Sequence, residues 1–211
     1  MDGATLQAKI YASYAQTAKR IGLAYSIYRP TDPLNPLANL IGTIPAHFRV
    51  DDKFARPNVY GKALWLAYFD GSQTAVGDYL VATGGKTLFV AAMQPLLPIL
   101  TVECNRVVTI SRIDAPTGAG ALSYNADSGN ETPYMTGWPS SILQGPKGEK
   151  NEVGLPGDVR QAWWVMLVPA WAGLTVEASD IVTDDLGRRY ITSSCELTDL
   201  GWRVTLQQAV T

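Results

Sequence analysis

The chain has 211 residues, with 17 basic and 19 acidic side chains, one histidine and a formal charge of −2. Hydrophobic residues make up 46% and charged residues 17%, below the roughly 25% charged of an average soluble domain. This excludes intrinsic disorder, and the absence of a basic excess argues against a nucleic-acid clamp. So low a charge density hints that partners cover part of the surface. The longest apolar stretch, around Met93 to Val102, is cut by Pro95 and Pro98 and falls short of the ~18 residues of a membrane span. The opening Met1-Asp2-Gly3 has neither a basic n-region nor an apolar h-region and is not read as a signal peptide. A disulfide between Cys104 and Cys195 is therefore disfavoured, and both are expected as half-buried thiols in strands.

Residues 3 to 22 read as the one clear helix. Leu6, Ile10, Tyr14, Ala18 and Ile21 recur at spacings of three and four. Lys19 and Arg20 suit the last turn and Gly22 the C-cap. The narrow stripe could dock on the chain's own core or on a neighbour. Pro30, Pro33, Pro36 and Pro45 exclude helix over 29–46 and predict an extended, partly polyproline-like arm. Strand signals follow at Ala63 to Phe69, Asp78 to Ala82, Leu88 to Met93 and Leu100 to Arg112. Residues 114–159 are rich in Gly, Pro, Ser and Asn and read as a linker or long loop. Strand signals resume at Ala162 to Pro169, Asp180 to Thr183, Arg188 to Ser194 and Trp202 to Gln208.

The two strand blocks resemble each other. Asp78 to Gly85 and Asp180 to Gly187 span the same length, each runs into a hairpin with a basic residue after the glycine, and each block is preceded by a Trp-bearing strand. An internal duplication is one reading; the other is that any two β-meanders with Asp and Gly turns align this well. The expected fold is mainly β, with two small barrel- or sandwich-like lobes. The expected organisation is a helix and Pro-rich arm over 1–46, a first β lobe over 47–113, a linker over 114–159 and a second β lobe over 160–211. Asp78, Gly85, Asp180 and Gly187 are the predicted structural turn residues.

Chemistry is sparse. Gly84-Gly85-Lys86-Thr87 looks like the end of a P-loop, but position 80 is Leu and a strand follows the lysine, so the helix N-terminus that holds phosphate is missing; a hairpin turn is the better reading. His47 is the only histidine, in what reads as a Pro-flanked loop, without the companions of a triad or zinc site. Asp51-Asp52 and Asp184-Asp185 are adjacent pairs, and neighbours in a strand point to opposite faces. A glycosidase pair across a cleft stays open. The glycine phase at 145, 148, 154 and 157 fails at Asn151, too short and broken for a triple helix. No catalytic, cofactor-binding or metal residue is assigned. Trp138, Trp163, Trp164, Trp171 and Trp202 are numerous for this length. They serve as barrel cores, as interface anchors or, less simply, as sugar-stacking platforms. As interface candidates we take Tyr14, Tyr28, Arg29, Trp138 and Trp171, since Trp, Tyr and Arg dominate binding hot spots.

Several stretches carry a resemblance: Met1 to Leu6, Tyr28-Arg29-Pro30, Gly77 to Leu80 with Ala92 to Leu100 and Cys104-Asn105-Arg106, and Asp180 to Tyr190 followed by Glu196 to Arg203. Together they resemble a family of structural proteins of tailed bacteriophages and prophages, encoded among tail genes, along nearly the whole chain. The Gly-Asp strand entry, Gly-basic hairpin and aromatic strand are also similar to small barrels in head–tail joining proteins. The resemblance implies a non-enzymatic virion component assembled in the host cytoplasm. It would form repeated copies around or beside the tail tube, in tail or baseplate, with copies of itself and other tail proteins as partners and neither nucleic-acid readout nor membrane insertion. A neck ring is the alternative, and a glycan-degrading tail enzyme the third class.

Overall fold

The computed structural model describes residues 2–50, 62–113, 131–145 and 163–209. It opens with helix α1 (Gly3–Ile21). The strands of the first half are β1 (Leu23–Tyr28), β2 (Leu40–Arg49), β3 (Leu64–Tyr68), β4 (Tyr79–Ala82), β5 (Thr87–Ala92) and β6 (Ile99–Cys104). Those of the second half are β7 (Arg106–Ile113), β8 (Glu131–Gln144), β9 (Trp163–Val168), β10 (Ile181–Asp184), β11 (Arg189–Thr198) and β12 (Gly201–Gln208). They form two six-stranded antiparallel barrels, closed in the cyclic orders β1-β2-β3-β6-β5-β4 and β7-β8-β9-β12-β11-β10. The fold is thus mainly β, as the strand signals require.

The barrels are structural repeats. Each is two three-stranded meanders, the first strands of which pair to close the barrel: β1 with β4, and β7 with β10. A bulge interrupts the pairing of β5 with β6 between Val90 and Ala92, and that of β11 with β12 between Thr192 and Ser194. The register makes Val90 correspond to Thr192, and Trp65 to Trp164. The hairpin glycines Gly85 and Gly187 lie at φ 86° and 74°, in the left-handed region that a β-carbon disfavours.

Two segments differ from expectation. Of the expected arm over 29–46, residues 40–46 belong to β2, which with β1 forms staves of the first barrel, and residues 29–39 are the loop between the two strands. Residues 131–144, expected within a linker, are β8. The same device admits proline in both. β2 pairs with β1 over Leu40 to Ala46 and with β3 only from His47 onward. β8 pairs with β7 up to Ser140 and with β9 only from Ser141. Pro45, Pro133 and Pro139 all stand where their strand has a neighbour on one side, the position at which a ladder tolerates a missing N–H. The predicted strand Leu100 to Arg112 is two strands, β6 and β7, one in each barrel, with Asn105 between them. The rest of the expected linker, Asp51-Asp52 and the glycine run beyond Gly145 lie outside the described residues.

Inside the first barrel, Tyr25, Ile27, Ile44, Ala46, Leu80, Leu88, Val90 and Ile99 form the core. β5 explains its own unbroken apolar run. Leu88 and Val90 face this core, while Phe89 and Ala91 join a second cluster that continues through Val108, Ile110, Met135, Trp138, Met166 and Val204 of the second barrel. A strand buried on both faces reads as continuous rather than alternating.

α1 docks on the first barrel. Asp2 caps it by accepting the Thr5 N–H at 2.7 Å, Tyr14 meets Tyr68 edge-to-face at 5.0 Å, and Gln7 accepts the Leu96 N–H at 2.6 Å. Gly22 does cap the helix, but in extended backbone. A β-carbon there would lie 2.5 Å from the Ala18 carbonyl oxygen and 2.7 Å from that of Ala46, so it is close approach that requires glycine. Among the described residues no helix is long and apolar enough to cross a membrane.

Because β1 and β2 are staves and α1 lies outside the barrel wall, two truncations should separate. Removing residues 1–22 should leave both barrels folded with melting lowered by several degrees. Removing residues 1–46 should abolish the native dispersion of the first barrel in NMR spectra and its cooperative melt. Equal behaviour of the two truncations would contradict this topology.

Candidate functional site

The turn residues and the interface candidate Arg29 meet in one construction that appears twice. Arg29 directly follows β1 and Asp78 directly precedes β4. The guanidinium donates from Nε to Asp78 Oδ1 at 2.8 Å and from Nη2 to Oδ2 at 2.7 Å. Asp78 Oδ2 also accepts the Ala75 N–H at 2.7 Å. In the second barrel Arg112 of β7 donates from Nε to Asp180 Oδ1 at 2.8 Å and from Nη2 to Oδ2 at 3.0 Å, and Oδ2 accepts the Glu177 N–H at 2.7 Å. The backbone repeats too. Val90 donates to the Asp78 carbonyl and Thr192 to that of Asp180, while Gly77 and Ser179, at φ 89° and 75°, donate to the Val90 and Thr192 carbonyls. Each carboxylate is buried and each guanidinium lies at the surface. Planar two-point pairing is the strong form of this contact.

The second copy has one more member. The Tyr134 hydroxyl donates to Asp180 Oδ2 at 2.6 Å, and Arg112 lies over its ring at 5.2 Å. Hydrogen bonding to its aspartate raises the pKa of each arginine. Burial, and then the Asp180 carboxylate, push the Tyr134 phenol up. Asp184 is a third buried carboxylate. It accepts the Leu186 and Arg188 N–H groups at 3.0 and 2.8 Å and the Tyr190 hydroxyl at 3.3 Å, with Arg106 Nε at 3.7 Å. It closes the hairpin that contains Gly187.

The junction between barrels is the other concentration of specific contacts. The Asn105 side chain donates to the Ile142 carbonyl at 2.9 Å and accepts the Ile142 N–H at 2.8 Å, while its own N–H donates to Ser140. Tyr79 donates to the Pro139 carbonyl at 2.9 Å. The Pro33 carbonyl accepts the Thr136 N–H at 3.0 Å and the Trp138 indole N–H at 2.6 Å. Trp138 stands edge-to-face to both Tyr79 and Trp171. It is 0% exposed, so as an interface anchor it serves the chain's own two barrels and not a partner. Trp171 and Tyr28 are half-buried against the same cluster, Tyr14 is engaged with Tyr68, and Arg29 is spent on Asp78.

His47 is in β2, not a loop, opposite Tyr68 with ring centroids 6.2 Å apart. Gly84 to Lys86 form the β4–β5 turn, with Lys86 over the Trp65 ring at 4.4 Å. Cys104 and Cys195 are free thiols, and burial raises the pKa of both. Among the described residues no cluster of three or more His, Cys, Asp or Glu side chains could hold a metal ion. Sequence reasoning missed Arg112, Tyr134 and Asn105. The alignment of Tyr28-Arg29 with Ser111-Arg112, set by the closing strands, is the signal that would have found the first.

Comparison of the chain with protein-family models, with curated proteins and with solved structures finds no match.

Removing either aspartate leaves a turn N–H without its acceptor and a guanidinium without its anchor. Asp78→Ala and Asp180→Ala should each cost about 2–3 kcal/mol in denaturant unfolding. The arginines are 44% and 41% exposed, and water screens part of the attraction. The Arg29→Ala/Asp78→Ala cycle should therefore show a coupling of roughly 1–2 kcal/mol. Additive single costs would show that the pair does not act as a unit.

Tyr79 and Tyr134 both have pKa values raised above the ordinary 10.0, with burial the first cause. The neutral form is then favoured by folding. That stability is fully present below pH 10, is eroded above it once the unfolded chain ionises, and is lost as pH rises through the folded values. Phenolate absorbance of the native protein should lag that of the denatured chain above pH 10. Full titration of all tyrosines before any loss of structure would contradict this.

Proposed function

We infer that this chain is a structural component of a bacteriophage virion, acting by assembly as repeated copies around or beside the tail tube. The observation that carries the structural role is the use made of its buried carboxylates. Asp78 and Asp180 each accept one backbone N–H and a two-point arginine pair, Asp180 the Tyr134 hydroxyl as well, and Asp184 accepts two backbone N–H groups and the Tyr190 hydroxyl, which commits all three to holding strand ends together. A catalytic carboxylate keeps an oxygen facing a substrate-sized space. Two closed barrels locked through β8 make a rigid block, which suits a part that must present the same surfaces in every copy. The resemblance of the chain to tail-gene structural proteins supplies the setting.

Antibody raised against the purified chain and applied to intact particles from a producing lysate should label the tail or baseplate in electron micrographs, and mass spectrometry of washed particles should recover the chain in multiple copies. Label at the neck alone would move the chain to the head–tail junction. Particles free of the chain would overturn the reading.

A further inference from the structure

Among the described residues three strands run for a long stretch beside a single neighbour. β2 does so over residues 40–46 and β8 over residues 131–140. β11 meets β10 from Arg189 to Ile191, with a last backbone exchange at Thr192, but continues beside β12 to Thr198. Two of these open ladders are guarded. Pro45 stands in β2, and Pro133 and Pro139 in β8, where the Pro33 carbonyl also takes the Thr136 N–H. Proline and covering loops are the usual means of keeping a strand edge from pairing. The third ladder, Ser193-Ser194-Cys195-Glu196-Leu197-Thr198, holds no proline. Its one charge, Glu196, lies 3.9 Å from Arg203 Nη1 across the hairpin.

The ladders fix which way its backbone groups point. The Trp163 carbonyl accepts the Gly145 N–H, so Trp163 and every second residue of β9 after it face β8. Trp164, Met166 and Val168 then bond Leu206, Val204 and Trp202. That leaves Thr205, Arg203 and Gly201 to bond Ser194, Glu196 and Thr198. The N–H and C=O groups of Cys195 and Leu197 therefore face away from β12, and neither residue has a backbone partner there among the described residues. Ser193, Ser194, Glu196 and Leu197 are exposed.

We propose that this edge is a contact between two copies of the chain, β11 of one pairing antiparallel with β11 of the other about a two-fold axis. An open edge is filled by an extended strand, and this one is its own complement: rotation about a two-fold axis brings its outward groups onto the same groups of the second copy. Two registers set outward residues opposite each other over most of the stretch. Centring on Glu196 puts two carboxylates directly opposite, which is unfavourable. Centring on Cys195 puts Glu196 opposite the Ser194 hydroxyl, a donor for it, and lets the two Cys195 residues exchange both backbone bonds. The second register is the one that holds the pair. The contact is isologous and stops at two copies, and so short a ladder makes a weak one. It does not depend on the particle to which the chain belongs.

Sedimentation velocity of the full chain over a concentration series, with amide exchange at the same concentrations, tests this. The parent should form dimers as concentration rises, and the Cys195 and Leu197 amides should exchange freely when dilute and more slowly as the dimer fills. Leu197→Pro puts a ring in the path of the incoming strand at a place where a ladder tolerates proline, so it should melt with the parent and dimerise at least ~tenfold more weakly. Leu197→Thr keeps the N–H and should dimerise like the parent. Ser194→Glu sets carboxylates opposite each other and should weaken the dimer by a similar factor, more so at low salt. Thermal melts certify the fold of each variant; where Leu197→Pro does not fold, the exchange profile and Ser194→Glu decide. A parent that stays monomeric overturns the proposal. So does slow exchange of both amides already at the lowest concentration, which would show the edge covered within the chain. A folded Leu197→Pro or Ser194→Glu that dimerises like the parent also overturns it, as does a loss on Leu197→Thr equal to that on Leu197→Pro, since the contact would then lie in the side chain. A monomeric chain recovered from particles would defeat only this contact, and a dimeric chain absent from particles only the virion reading.

Discussion

Each barrel closes through strands that are not neighbours in sequence, and that closure is what the rest of the structure depends on. β1 must find β4 across the whole first meander of its barrel, and β7 must find β10 across the first meander of the other. Such closure costs chain entropy before it returns any contact. The Arg29–Asp78 and Arg112–Asp180 pairs sit at the mouth of these closing ladders. The aspartate carbonyl joins the next strand and its carboxylate turns the preceding residues back through a second N–H. The guanidinium then ties this turn to the end of the opposite strand. A single side chain thereby fixes the turn, the register of β4 or β10, and the closing pair. Both copies keep the ion pair although the left-handed residue before the aspartate is glycine in one and serine in the other.

With both barrels closed, β8 becomes the strand on which they are fixed to each other. One residue, Asn105, separates β6 from β7, and so short a link alone would restrict but not define the orientation. Its carboxamide does the defining, because it pairs with both backbone groups of Ile142 as another strand residue would. Tyr79 and Pro33 hold β8 at two further carbonyl and N–H positions, and the Tyr79–Trp138–Trp171 rings fill the space between. The polar contacts set the geometry. The aromatic rings, of which Tyr79 and Trp138 are fully buried and whose edge-to-face pairs are worth about 0.5–1.5 kcal/mol each beyond area, supply much of the adhesion.

What could be read from the sequence follows from locality. The helix, the strands near Trp65, Trp164 and Trp202, and the hairpins at Gly85 and Gly187 announce themselves within a few residues, through period, aromatic content or an Asp–Gly spacing. The repeat was legible for the same reason, because it was carried by those hairpins. β1, β2 and β8 were not. The prolines of β2 and β8 are normally strand breakers, and only the tertiary fact that these two strands change partners part-way, leaving Pro45, Pro133 and Pro139 beside an empty side, makes them acceptable. Arg29 stands among the interface candidates by residue type, but nothing local in the sequence joins it to Asp78. Trp138 could be singled out by type, yet whether such a ring meets a foreign partner or the chain's own second barrel is decided by long-range packing.

The repeats diverge where divergence sets the size of the assembly within one chain. The outer face of β4, β5 and β6 that meets the second barrel carries Tyr79, Phe89, Ala91 and Val102. By register the corresponding positions in the second barrel are Ile181, Ile191, Ser193 and Gln207. Ile181 is still buried, but Ile191 is partly exposed and Ser193 and Gln207 are open to solvent. The phenol that reaches Pro139 has no counterpart at Ile181, and the Phe89 and Val102 positions no longer form an apolar pair. The face that joins barrel one to barrel two is thus not reproduced on barrel two, and barrel-on-barrel stacking by this route ends at two.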